Sequence, residues 1–183
     1  TWTWTTGGGG SGDFQFKLDS PDFNVGVSRT RATSFTPVTA LAEGAHTFFV
    51  READVAGNFS ALGQFTITLD LSAPGAPAVT GTTPSQDSTP TWSWVSGGGG
   101  SGNYRFNLDS NDFTGGGIAT TATTFTPASL LTEGTHTLFV QERDAANNFS
   151  LSGSFAITID VTAPGAPVVS GVTPTTNTTP TWS

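Results

Sequence analysis

Cysteine and methionine are absent from the 183 residues. Without a thiol the chain can build neither a disulfide framework nor a thiolate zinc site. Each folded unit must therefore be held by its apolar core or by a metal bound through oxygen. No apolar run is long enough to span a bilayer, and no charged-then-apolar signal segment opens the chain. With no methionine and a start at Thr1, a processed or excised fragment is expected. Positive charge is also scarce, with 6 Lys and Arg against 14 Asp and Glu. The resulting field repels a polyanion such as nucleic acid and suits a cationic partner, a metal ion included. Long helix-forming residues are few. Threonine, serine, glycine, valine and phenylalanine dominate, which is strand-and-turn chemistry.

What is present repeats. Trp2, Trp92 and Trp182 mark one position three times, a period of about 90 residues without insertions. Gly7 to Gly12 runs in step with Gly97 to Gly102, and Leu18-Asp19-Ser20 with Leu108-Asp109-Ser110. Ala73-Pro74-Gly75-Ala76-Pro77 matches Ala163-Pro164-Gly165-Ala166-Pro167 in the same way. Within a period, apolar and polar residues alternate with the two-residue spacing of a half-buried strand. Trp2 and Trp4 share a face, as do Phe14, Phe16 and Leu18, then His46, Phe48, Val50 and Glu52, then Phe65, Ile67 and Leu69.

About seven short strands per period, separated by turns rich in glycine, proline, aspartate and asparagine, predict an all-β fold of tandem immunoglobulin-like β-sandwich modules. In the second copy, strands are expected near Val79 to Thr82, Thr91 to Val95 and Tyr104 to Asp109. Two short ones follow between Gly117 and Pro127, then long ones from Thr135 to Glu142 and Ser154 to Asp160. The Ala-Pro-Gly-Ala-Pro segments read as linkers, because two prolines fix the backbone and break strand pairing. Residues 71–160 then form a complete module, residues 1–70 a module lacking its first strand, and residues 161–183 a linker with the first strands of a further module.

The turn before the last strand reads Asp54-Val55-Ala56-Gly57-Asn58-Phe59-Ser60 and Asp144-Ala145-Ala146-Asn147-Asn148-Phe149-Ser150. With the stretches Phe65 to Pro74 and Phe155 to Pro164 that follow, it resembles the bacterial Ig-like tandem repeats of giant extracellular adhesins, including type I secreted ones. The resemblance covers the whole chain and implies an extracellular or cell-surface, non-catalytic spacer in a biofilm-type adhesin. Its partners would be neighbouring modules of the same chain or fibre. Asn147 stands where the first copy has Gly57, and a left-handed backbone tolerates asparagine there.

Several residues invite chemistry. In a sandwich each strand reverses the last, so the acidic loops sort to two poles. At the junction of copies, Asp19, Asp22, Glu43 and Asp70 are expected to approach Glu142, Asp144, Asn147 and Asn148. Carboxylates and amide oxygens are what calcium takes, six to eight at a time. A calcium ion at the joint is therefore expected, with Asp70, Glu142, Asp144 and Asn148 as ligands. Glu142 and Asp144 also fall on the apolar face, where a carboxylate is costly unless paired or metal-bound. The alternative is turn chemistry, with Glu142 paired to Arg105 or Arg143.

The glycine run Gly97 to Gly100 lacks the Lys-Ser/Thr of a phosphate loop and precedes a strand, so it reads as an interstrand loop. His46 and His136, on the inward face at the start of a long strand, read as anchors to nearby backbone. The pairs Trp2 with Trp4 and Trp92 with Trp94 read as core. Three Asn-x-Ser/Thr acceptor patterns are incidental in a bacterial chain. No recognisable motif sets a serine beside a histidine and a carboxylate, so no enzyme is expected. A spacer leads the functional readings. Carbohydrate-binding modules and a strand-complemented extracellular filament are the alternatives. An accessible Trp92 or Tyr104 would favour sugar binding, and buried tryptophans the spacer.

Overall fold

A computed structural model of the chain describes residues 1–171, 173 and 176–179. The chain is all-β and is built of two sandwich modules of about 90 residues each. Two compact units result, residues 1–74 with 143–149, and 75–142 with the segment from Ser150 on.

The second module is the fuller. Its strands are β7 (Ala78–Thr80), β8 (Trp92–Val95), β9 (Asn103–Leu108), β10 (Ile118–Thr120), β11 (Thr124–Phe125), β12 (Gly134–Arg143) and β13 (Gly153–Ile159). They form a 3-stranded sheet, β11-β8-β7, and a 4-stranded sheet, β10-β9-β12-β13, with antiparallel pairing throughout. Alternation decides which side chains point inward. On β12, Leu138 and Val140 are fully buried, while the intervening Thr137 and Phe139 are only partly so. Across the core, Trp92 and Trp94 are buried on β8, with Ser93 exposed between them. The indole N–H of Trp92 donates to the Phe155 carbonyl at 3.0 Å. A fully buried indole of this size removes about 150–250 Å² from water, worth roughly 4–6 kcal/mol at ~25 cal/mol per Å². Tyr104, Phe106, Ile157 and Val79 complete the cluster, with the rings of Phe106 and Phe125 4.6 Å apart.

The first module repeats this plan with β1 (Trp2–Thr3), β2 (Asp13–Leu18), β3 (Ser28–Thr30), β4 (Ser34–Phe35), β5 (Gly44–Ala53) and β6 (Gly63–Leu69). Its 4-stranded sheet is β3-β2-β5-β6, but the facing sheet holds only β1 and β4 among the described residues. Phe48, where the second module has Leu138, stacks on Trp2, Trp4, Phe16 and Phe35 at 5.2–5.6 Å. The position of β7 has no counterpart here, and the outcome is visible on β6. Phe65 is 67% exposed, and Ile67 and Leu69 are only half-buried. Their counterparts Ile157 and Ile159 are buried.

Two sequence expectations shift. The Ala-Pro-Gly-Ala-Pro segment at 73–77 is folded into the second module rather than merely linking. The Gly75 amide donates to the Gly98 carbonyl at 2.9 Å, and Pro77 is buried with its carbonyl against Gly153. Glycine at 75, 97 and 153 lets these backbones touch where any side chain would collide. The matching segment 161–171, expected to contain a strand, is exposed and in no strand. A strand needs a neighbour to pair with, and the described residues place none beside it. The expected start of a further strand at Trp182 lies outside the described residues.

Candidate functional site

Each module ends its long strand in the same aspartate-centred turn. In the first, Asp54 accepts hydrogen bonds from the amides of Ala56 (2.9 Å) and Asn58 (2.8 Å) and from the Asn58 side chain (2.9 Å). The Asn58 side-chain bond leads in holding the Asp54 pKa below its ordinary value, with the loop amides adding to it. In the second, Asp144 accepts from the Asn148 amide and side chain, both at 2.9 Å. Burial works to raise the Asp144 pKa, but the hydrogen bonds from Asn148 and the loop amides outweigh it and the net shift is downward. Both loops need one left-handed residue. Gly57 supplies it at φ 89° and Asn147 at φ 71°, as the sequence allowed.

Beneath this turn lies a carboxylate in a glycine cage. Glu142 is almost fully buried. Its oxygens accept from the Ser96 hydroxyl at 2.6 Å and the Gly102 amide at 3.1 Å. A side chain at Gly100 would overlap the Glu142 carboxyl, so the loop must be glycine at that point. The first module builds the same cage, with Glu52 accepting from the amides of Gly7 (3.3 Å) and Gly12 (3.0 Å) and lying against Gly10. The glycine run thus wraps a buried carboxylate with N–H donors, the arrangement that makes burial of a charge tolerable. Sequence reasoning missed this role. The available signal was that the glycine run and the inward glutamate recur together at the same spacing in both copies.

At the far end of the long strand sits a histidine clamp. His136 Nδ1 lies 2.7 Å from Asp109 Oδ2, and its Nε2 lies 3.0 Å from the Thr132 carbonyl. His46 repeats both contacts, with Asp19 at 2.7 Å and Ala42 at 2.9 Å. Both ring nitrogens face acceptors, so both must donate, and only the protonated ring can do so. The carboxylate bond accordingly raises the pKa of each histidine above its ordinary value. Asp19 and Asp109 hold left-handed backbones at φ 60° and 59° and also accept the amides of Thr47 and Thr137 at 2.7 Å. The histidines are structural pins, as their position suggested.

The four residues named for calcium fall out as follows. Asp144, Asn148 and Asp70 come together in the first of the compact units. The Asn148 side chain donates to the Asp70 carbonyl at 2.9 Å as well as to Asp144, and Asp70 Oδ1 accepts the Ser72 amide at 3.2 Å. Glu142 instead turns its oxygens into its own glycine cage. Neither expected arginine partner is its principal contact: Arg105 donates to Gln141 at 2.8 Å and Arg143 to Asn147 at 2.9 Å. Glu43 accepts the Ser72 hydroxyl at 2.7 Å, and Asp22 caps its own turn through Asn24. Among the described residues no group of three or more His, Cys, Asp or Glu side chains is placed to hold a metal ion. The oxygen-only donor set at Asp70, Asp144 and Asn148 fits calcium in kind, though most of its atoms already make hydrogen bonds.

No family model matches the chain, and no curated protein matches it. Among solved structures it is similar to the fibronectin(III)-like modules of Clostridium thermocellum CbhA. The identity is 15%, over 85% of this chain and 82% of that one, at a TM-score of 0.43. It is also similar to the beta-glucuronidase of Parabacteroides merdae, at 10% identity over 81% of this chain and 21% of that one, with a TM-score of 0.26. The fold rests on the strand pairing described above, and neither likeness carries function. The chain is a pair of β-sandwich modules.

Proposed function

We propose that the chain is an extracellular spacer, a stretch of a surface adhesin whose modules hold a separate binding region away from its anchor. The observation that carries this reading is the burial of the aromatic residues that a sugar-binding module would need on its surface. Trp92 is fully buried, and Trp94 and Tyr104 nearly so, which leaves none of them as a stacking platform. The polar residues that looked chemical support the same reading, because their hydrogen bonds are spent on holding turns.

Calcium stiffening of the joint belongs to this proposal, with Asp70, Asp144 and Asn148 as the favoured ligands and Glu142 as the fourth. A bound ion would offset carboxylate repulsion and stabilise the folded turn by an amount that grows with the logarithm of free calcium over its dissociation constant. The test is thermal melting and small-angle scattering of the 183-residue chain with excess calcium and with chelator, alongside Asp144→Ala. A higher melting temperature and larger maximum dimension in calcium, both lost in the variant, are expected. Identical curves with calcium and chelator in the unmodified chain would leave a spacer held by turn chemistry alone. Binding of this chain to a polysaccharide panel would overturn the spacer reading in favour of a carbohydrate-binding module.

A further inference from the structure

The backbone pairing of β12 with β13 ends at Gly134 and Ile159, and that of β5 with β6 at Gly44 and Leu69. Antiparallel register, carried past those pairs, sets Val161 opposite Thr132 and Leu71 opposite Ala42. On β13 the amides of Thr158 and Asp160 point away from β12, to the Thr83 hydroxyl and the Ser85 carbonyl, so those of Ile159 and Val161 point toward it. The carbonyl that would receive the Val161 amide is already engaged, because His136 Nε2 holds Thr132 O at 3.0 Å. His46 holds Ala42 O in the same way at 2.9 Å. Each histidine clamp therefore stops the ladder, and the leaving chain needs another acceptor.

A side chain supplies it. Val161 and Thr162 are exposed and in no strand, yet both are held. Glu133 Oε1 accepts the Val161 amide at 2.8 Å and the Thr162 hydroxyl at 2.7 Å, while the Thr162 amide donates to Asp160 Oδ1 at 3.1 Å. The Thr162 hydroxyl leads in holding the Glu133 pKa below its ordinary value, with the Val161 amide adding to it, so the carboxylate is ionised and its bonds are charge-assisted. The first module has the same arrangement. Glu43 Oε1 accepts the Ser72 hydroxyl at 2.7 Å, and Asp70 Oδ1 the Ser72 amide at 3.2 Å. There the polypeptide continues into β7, so the arrangement is not a feature of a chain end.

We propose that Glu133, through Val161 and Thr162, is an exit latch, a side chain that continues the β12–β13 pairing where the backbone ladder ends and fixes the leaving chain against being drawn off the sheet. Its carboxylate stands in for the Thr132 carbonyl that the histidine has taken. A pull on the leaving chain reaches Thr162 and Val161 before it reaches β13. With the latch closed, that pull passes through Glu133 to the start of β12. With it open, the Gly134–Ile159 pair becomes the frayed end of a ladder that yields one bond at a time. The hydroxyl at position 162 is what the latch grips, and Ser72 does the same work in the first module. The latch belongs to the fold of a single module, so it depends neither on calcium nor on the spacer reading.

Amide hydrogen exchange of the 183-residue chain, read residue by residue by NMR with calcium and with chelator, tests the latch. The Val161 amide should exchange on the order of tenfold or more slowly than in an unstructured peptide, as expected for a bond to a charged acceptor. Glu133→Ala should return Val161 to the peptide rate and speed exchange at Ile159, the next amide of the ladder. The amides of Leu138 and Val140, in the middle of β12, should keep their protection, which separates loss of the latch from loss of the fold. Thr162→Val keeps the shape of the side chain and loses the hydroxyl, so it should also speed Val161, whereas Thr162→Ser should leave the rate unchanged. Peptide-like exchange at Val161 in the unmodified chain, or protection that survives Glu133→Ala, would overturn the proposal. Protection present in calcium and lost in chelator would overturn it as well, by showing that Glu133 serves an ion.

Discussion

Replacing Glu142 by alanine tests whether the glycine cage is structural. The carboxylate accepts from the Ser96 hydroxyl at 2.6 Å and from the Gly102 amide at 3.1 Å. Hydrogen bonds to a charged group contribute about 1.5–3 kcal/mol each, so two of them give roughly 3–6 kcal/mol before any offset. Two effects reduce that figure. Keeping a carboxylate out of water costs several kcal/mol even with good partners, and alanine relieves that cost. Ser96 and Gly102 are also exposed enough to bond water once the carboxylate is gone.

The net expectation is a loss of about 2–4 kcal/mol, or roughly 10–20 °C in the melting of the second module at the usual scaling for a domain of this size. Glu142→Gln, which keeps the shape and one acceptor oxygen, should cost less than half of that. Glu52→Ala should cost less as well, because Glu52 is less deeply buried than Glu142 and both its bonds are to amides at 3.0–3.3 Å. The assay is urea denaturation followed by tryptophan fluorescence, with calcium and with chelator. A loss under about 0.5 kcal/mol for Glu142→Ala would refute the cage, since even one hydrogen bond to a charged group contributes more than that. A loss seen in calcium and absent in chelator would show instead that Glu142 serves the ion.

Two further outcomes follow from the same framework. The His136 pKa is raised by Asp109, so the bond is fully stabilising below the histidine's unfolded pKa and fades as pH rises through the folded one. The stability difference between the unmodified chain and His136→Gln should therefore shrink from mildly acid to mildly alkaline pH, and a difference that grows over that range would refute the protonated clamp. In the second module, Ser85 donates to the Thr158 carbonyl and accepts from the Asp160 amide, both at 2.9 Å. Ser85→Pro removes the donor and should lower the force that unfolds this module in single-molecule pulling, and an unchanged force would show that the load runs elsewhere.

The strands were legible because alternation is a direct imprint of a half-buried sheet. Trp92, Trp94, Leu138 and Val140 are core residues as the pattern required, and both histidines pin backbone as their position suggested. The cage was not legible as such. Its donors are mostly main-chain amides of Gly7, Gly12 and Gly102, whose direction depends on loop conformation and leaves no side-chain signature. Glu142 on an apolar face was correctly marked as costly, but the Ser96 hydroxyl and glycine-loop amide that hold it went unrecognised. The Ala-Pro-Gly-Ala-Pro segment misled for a related reason. Proline does break strand pairing, yet Pro77 is buried with its carbonyl against Gly153, a contact that needs no amide.

That segment ties the connection between repeats to the fold of the repeat. In the second module the chain enters at Gly75, runs through β7 to Ser85, and leaves after β13 at Asp160. Ser85 and Ile159 are bridged in parallel, so the entering and leaving segments lie side by side and point the same way. Tension applied through the two ends pulls them past each other and loads in shear the bonds of Ser85 and that from the Thr158 amide to the Thr83 hydroxyl oxygen at 3.0 Å. Bonds loaded in shear must yield together, whereas bonds at a peeling edge yield one at a time. Pro77 against Gly153 and Gly75 on Gly98 lie ahead of β7 on the same path, so the segment that joins one repeat to the next is gripped before the core is reached. A repeat built in this way resists extension at its point of entry, which is the mechanical property a spacer requires.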